Sequence, residues 1–151
     1  MRTFFICILI LLILAGCYLL YAQISGGAVP TFGLPIGGER AEVRYRIKYF
    51  FEQVKFKNTN GLLSSVSEDS STEDIEKFLN QTLGVSPAEA DLQRVEVKSV
   101  EIDSSGTRAR AMVLLHGQNL ALSKPFQVTR LVFLYKNTQN HWLLDIKHMA
   151  L

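Results

Sequence analysis

An α+β domain carried behind one apolar amino-terminal helix is the architecture this 151-residue sequence predicts. Residues 4–22, FFICILILLILAGCYLLYA, contain no charge. Residues 40–83 repeat their apolar positions at helical spacing, and residues 92–146 alternate with a period of two. Helices followed by a run of strands, in roughly 110 residues once the apolar stretch is set aside, is the pattern of helices gathered on one face of an antiparallel sheet. The expected division is an anchor over 1–23, a Gly/Pro linker over 24–39 and one α+β domain over 40–151.

The apolar stretch comes first. About 19 residues at ~1.5 Å each give a helix of roughly 28 Å, close to the ~30 Å hydrocarbon core of a bilayer. A buried core helix of this length would carry a polar stripe, and none is present. Arg2 lies on the amino-terminal side, and no Lys or Arg follows until Arg40. That asymmetry predicts a single-pass protein with a cytoplasmic amino terminus and everything after Gln23 in the periplasm or outside the cell. Tyr18 and Tyr21 suit the interfacial aromatic belt. Leu14-Ala15-Gly16-Cys17 also resembles the lipobox of bacterial lipoproteins, which implies Cys17 as a lipidation site. The apolar run continues from Tyr18 to Ala22, where that family usually turns polar, so an uncleaved signal anchor fits better. The anchor makes membrane lipid a partner through residues 4–22, and both readings deliver the domain to the same side of the same membrane.

Composition narrows the rest. The net charge is +2, and Lys and Arg are scattered, so the footprint of a nucleic-acid binder is missing. Cys7 and Cys17 both lie in the apolar run, which leaves the exported part without a disulfide, a Cys nucleophile or a Cys-based zinc site.

Residues 24–39 form a spacer punctuated by Gly26, Gly27, Pro30, Gly33, Pro35, Gly37 and Gly38. Fully extended, such a spacer reaches some 55 Å (~3.3 Å per residue). The alternation of Phe32, Leu34 and Ile36 allows it instead to pack as an extended arm. Arg40 to Lys57 is the clearest soluble helix, with Val43, Ile47, Phe50, Phe51 and Val54 as its buried stripe and Tyr45, Tyr49 and Phe56 beside it. Asn58-Thr59-Asn60-Gly61 reads as its stop. Leu62, Leu63 and Val66 allow another turn or two of helix. Thr72 to Leu83 is the second main helix, entered through a capping box at Ser70/Glu73 or Ser71/Asp74 and ended by Gly84.

Strands follow. Leu92 to Asp103 changes phase between Val95/Val97 and Val100/Ile102, the mark of a bulge near Lys98-Ser99. Ser104-Ser105-Gly106 makes a hairpin turn into Thr107–Leu115, with Ala109, Ala111, Val113 and Leu115 on one face and Arg108, Arg110, Met112 and Leu114 on the other. A loose connection over 117–125 leads to Phe126–Tyr135, and His141–His148 is the expected last strand. The stretch Tyr135-Lys136-Asn137-Thr138-Gln139-Asn140-His141-Trp142-Leu143-Leu144-Asp145-Ile146 resembles the strand, polar turn, Trp and acidic close of the nuclear-transport-factor-2-like (cystatin-like) α+β domains. The resemblance implies a curved four-stranded sheet wrapped on the helices, with a pocket at the wide end of a cone. Members include polyketide cyclases and steroid isomerases, and also non-catalytic membrane-anchored periplasmic domains, so the fold does not choose the function.

Chemistry is sparse. No Gly-rich phosphate loop, Gly-x-Ser-x-Gly or His-Glu-x-x-His occurs, and His116, His141 and His148 are too scattered to define a metal site. Glu68, Asp69, Glu73 and Asp74 are explained by a helix amino terminus. Glu96, Glu101, Asp103 and Asp145 all alternate away from apolar strand positions. A ligand pocket of this fold would be lined by Tyr45, Tyr49, Trp142 and His148, although an aromatic stripe on a helix is more often core. Arg108 and Arg110 share a strand face and could hold an anion, although a solvated face also explains them. No catalytic residue, metal or cofactor is read. The expectation is a non-enzymatic interaction or assembly domain of a cell-envelope complex, with an envelope protein partner or self-association. The alternative is a small-molecule-binding or isomerase/cyclase-type domain.

Overall fold

A computed structural model describes residues 2–29 and 36–147. Its elements in chain order are α1 (Arg2–Ile24), α2 (Gly38–Lys55), α3 (Thr59–Leu63), α4 (Thr72–Leu83), β1 (Ala90–Ile102), β2 (Arg108–Asn119), β3 (Lys124–Lys136) and β4 (Trp142–Leu144). The chain divides into two compact units, 1–42 and 43–151.

In the first unit, Phe4–Ile24 has a mean hydropathy of 2.8, and its large side chains from Phe4 to Leu14 are exposed. The spacer does not run out as a tether. The Gly37 amide donates to Oε1 of Gln23 at 2.8 Å, so the two ends of the segment meet. Gly37 permits this because its φ is +103° and a Cβ there would stand 2.5 Å from the Gly27 nitrogen. Phe32 and Leu34, the proposed packing arm, lie outside the described residues.

In the second unit, α2 buries Val43, Ile47, Phe50 and Phe51, the predicted stripe, and α4 buries Ile75, Phe78, Leu79 and Leu83. The rings of Phe50 and Phe78, 6.0 Å apart, join the two helices. α4 keeps its predicted bounds. Ser71 and Asp74 form the capping box, and Gly84 takes the left-handed C-cap at φ +71°. Asn58-Thr59-Asn60-Gly61 does something other than stop a helix. Lys57 turns the chain at φ +53°, and the Asn58 side chain then accepts the Gly61 amide as the N-cap of α3. Asn serves either end of a helix, so the sequence alone did not separate the two roles.

The sheet is an antiparallel meander in the order β1-β2-β3-β4. The register between β1 and β2 slips between Val97 and Ser99, as expected, and again between Leu92 and Arg94. These bulges let Leu92, Val97 and Val100 all reach the core despite their odd spacing. They also disrupt the free edge of β1, where Arg44 donates from α2 to the Val97 carbonyl. The connection expected to be loose is instead a continued ladder. Pairing runs to Asn119–Lys124, and a four-residue turn follows, held by Asn119 Oδ1 accepting the Leu122 amide. Pro125 fits there because β4 covers only Leu134–Lys136 and leaves that part of β3 at an edge.

The last strand is shorter than the expected His141–His148. The Leu144 amide donates to the Ser65 carbonyl at 2.9 Å, and Val66 bridges Leu144 in parallel, so segment 65–66 takes the far side of β4. The Asp145 amide still donates to the Phe133 carbonyl at 2.9 Å, and Ile146 stays buried beyond the strand. The inner face carries the core: Ala109, Ala111, Val113, Leu115, Val132 and Leu134 lie with the helix residues and Trp142.

Candidate functional site

Arg108 opens β2 and stands directly across from Tyr135 near the end of β3. The hairpin that precedes Arg108 is set by the Asp103 carboxylate, which accepts the amides of Thr107 and Arg108 and the Ser105 hydroxyl. At this end of the sheet the β4 exit and segment 67–69 come alongside. The result is a cavity of about 430 Å³ lined by Ser67 and Asp69, Thr107 and Arg108, Tyr135 and Lys136, and Asp145 and Lys147. Its walls come from four separated stretches of chain.

The charges within it are not equivalent. Lys147 Nζ donates to Asp69 Oδ2 at 2.8 Å and to the Asp69 carbonyl at 2.7 Å. That hydrogen bond holds the Asp69 carboxyl below its usual range and raises Lys147. Lys136 Nζ lies 5.0 Å from the centre of the Trp142 ring. Burial pushes the Tyr135 phenol up, against a hydrogen bond with Ser67 that acts the other way. The guanidinium of Arg108 makes no ion pair among the described residues. Arg110, two residues along the same face, is paired with Glu101, its Nε donating to Oε2 at 2.7 Å. The two arginines therefore share a face, but only Arg108 lines this cavity.

The residues proposed for an aromatic pocket are placed apart. Tyr45 is exposed and stacks on Tyr49 with ring centres 6.2 Å apart, whereas Trp142 is fully buried in the core. None of these three lines the cavity over Arg108 or the concavities beside Glu101 and Phe133, Lys48 and Leu92, or Leu62 and Leu79, and His148 lies outside the described residues. Trp142 Nε1 finds no hydrogen-bond partner among the described residues, although a buried indole N–H is usually paired. Cys17 is exposed on α1. His116, read as abutting a loop, lies inside β2, with Nε2 4.0 Å from Oε1 of Glu96. Glu96 also takes Arg94 at 2.8 Å and Lys98, and the Lys98 hydrogen bond leads in holding its carboxyl below the usual range. No group of three His, Cys, Asp or Glu among the described residues is placed to hold a metal.

Sequence reasoning missed Lys136, Tyr135 and the Asp69–Lys147 pair. Tyr135 was within reach as the cross-strand neighbour of Arg108. The pair was not, because 78 residues separate its members and neither belongs to a motif.

The outer face of the sheet is the second feature. Met112 opposes Leu131, and Arg110 opposes Phe133. Met112, Leu131 and Phe133 remain 44%, 46% and 37% exposed, with Leu114 half-buried beside them.

No protein-family model matches the chain. No curated protein sequence matches it either. Among solved structures it is similar to a polyketide cyclase-like protein from Xanthomonas campestris pv. campestris. Identity is 13%, the TM-score is 0.45, and the match covers 71% of this chain and 91% of the other. It is also similar to the intermembrane space region of the chloroplast protein ARC6, with 16% identity, a TM-score of 0.38 and coverage of 69% and 90%. Similarity at this level carries no argument about activity.

Proposed function

We propose that this chain is a membrane-tethered, exported and non-catalytic interaction domain of a cell-envelope complex, built on a nuclear-transport-factor-2-like fold. Its amino terminus is cytoplasmic and its α+β domain lies in the periplasm or outside the cell. The observation that carries the reading is α1, apolar from Phe4 to Ile24 with its large side chains from Phe4 to Leu14 outside any core. Left in water, each of those side chains would cost roughly 1.5–3 kcal/mol relative to burial, and a bilayer removes that cost. Helix α1 runs without a break through Cys17, which favours the signal anchor over cleavage at that residue.

The interaction surface is the outer sheet face. Met112, Leu131 and Phe133 form an apolar centre, and the charged groups Arg110, Glu101 and Glu96 form its rim. An apolar core inside a polar rim is the anatomy of a protein–protein contact. The partner is an envelope protein or a second copy of this chain.

Alkaline extraction of membranes together with protease protection of a carboxy-terminal reporter tests the placement. The full-length protein stays with the membrane, and the reporter is cut only from the outside. Release into the soluble fraction, or a protected reporter, overturns the tether. Metabolic lipid labelling of wild type and Cys17→Ser separates the anchor from the lipoprotein. Photocrosslinking from position 131 tests the surface: it captures a discrete adduct, and total absence of one in the native membrane removes the docking role.

A further inference from the structure

We infer that the cavity over Arg108 is a binding site for a small organic oxyanion of single negative charge, a carboxylate or a phosphodiester. This does not depend on the membrane reading or on the outer sheet face. The geometry supplies the parts. Arg108 projects a guanidinium that no carboxylate of the described residues neutralises, in contrast to Arg110, which Glu101 occupies. A planar guanidinium offers a two-pronged donor set matched to a carboxylate or phosphate. Thr107, on the same strand entry, and Tyr135, directly across the ladder, line the same space, and both carry hydroxyl groups. At neutral pH the Tyr135 phenol keeps its proton, because burial disfavours the phenolate.

Among the described lining residues the cations Arg108, Lys136 and Lys147 outnumber the anions Asp69 and Asp145. Lys147 and Asp69 cancel one another through their 2.8 Å hydrogen bond. Three cations against two anions leave the described lining with a net charge of +1, which matches a monoanion rather than a dianion. The 430 Å³ volume lies within the range of small-molecule sites and leaves room for an organic remainder beside the charged group.

The test uses the full-length protein in neutral detergent micelles, titrated with lactate, dimethyl phosphate or sulfate and followed by the backbone amide resonances of 105–109 and 134–137. Lactate or dimethyl phosphate gives saturable shifts there that sodium chloride at equal ionic strength does not. Sulfate binds more weakly. Arg108→Gln weakens the monoanion by about tenfold or more, the loss of a charged hydrogen-bonded contact. Arg108→Lys falls between, because the charge is kept and the fork is lost. Arg110→Gln leaves the affinity unchanged. Shifts that chloride reproduces, or equal losses from Arg108→Gln and Arg110→Gln, overturn the site, as does tighter binding of sulfate. Resonance dispersion that persists in Arg108→Gln shows the variant is folded, so its loss of binding cannot be ascribed to unfolding.

A final arm separates sources of the same chemistry. If nanodiscs containing phosphatidylglycerol displace lactate and phosphatidylcholine nanodiscs do not, the phosphodiester is a lipid headgroup. If neither displaces it, the ligand is soluble.

Discussion

Met112 and Val113 are neighbours in β2, yet one is 44% exposed and the other is fully buried. The contrast repeats along the ladder: Ala111 and Val132 face the helices, while Arg110 and Phe133 face outward. Both faces are partly apolar, so hydrophobicity alone does not distinguish them. What differs is cover. The inner face is closed by α2 and α4 into one cluster with Trp142, Phe50 and Phe51. Isolated exposed apolar residues need no explanation, but a cross-strand cluster does. Inner positions therefore answer to folding, and outer positions remain partly exposed.

The largest effect expected from breaking this contrast is on the inner face. Leu115→Ala and Trp142→Ala cost about 2–5 kcal/mol of stability, since each removes a fully buried side chain from a closed core. Urea denaturation read by circular dichroism measures this. Met112→Ala on the outer face stays within about 1 kcal/mol, and a cost equal to that of Leu115→Ala would mean the face is not open. Phe133→Ser sharpens the comparison. It leaves the fold intact and abolishes the crosslink from position 131, whereas retention of the adduct would exclude this face from the contact.

A smaller effect lies in the helix that closes the inner face. Ser71→Ala removes half of the capping box of α4 and costs about 1 kcal/mol. The smallest effects are electrostatic. Glu96 has a reference pKa of 4.5 and Asp69, Asp74 and Asp103 one of 3.8, and all four are lowered in the folded state. Their contribution is present above those reference values and is lost as the pH falls through the lower folded values. Tyr135 and Lys147 are raised from 10.0 and 10.5, so their contribution is complete below those values and is lost as the pH rises through the higher folded ones. A pH series of thermal melts shows a plateau between these limits. Asp69→Asn shallows the acid limb, and an unchanged limb would mean the Lys147 contact is not formed in solution.

Much of the fold was legible because it rests on local patterns. The stripe of α2, both ends of α4, the Ser104–Gly106 turn and the bulge at Lys98-Ser99 each announce themselves within a few residues. The misreadings involve pairings that the residue pattern does not announce. Ser65 takes the Leu144 amide on the far side of β4, and Lys124 pairs with Asn119 and tightens a connection that looked loose. Gln23 takes the Gly37 amide and brings together the ends of a spacer that composition alone would leave extended. For the site, Arg108 and Arg110 looked alike as two cations on one strand face, and only the cross-strand position of Glu101 separated them.

By itself the sequence determined the apolar helix, the helices-then-strands order and the two faces of β2. Those depend on composition and on the fixed periods of helix and strand, which act over a few neighbouring residues. The tertiary structure alone decided where the sheet ends, which arginine is left without a counter-charge among the described residues and what stands around it. Each of those outcomes is a meeting of groups on different strands or segments, and short-range periodicity carries no record of such meetings.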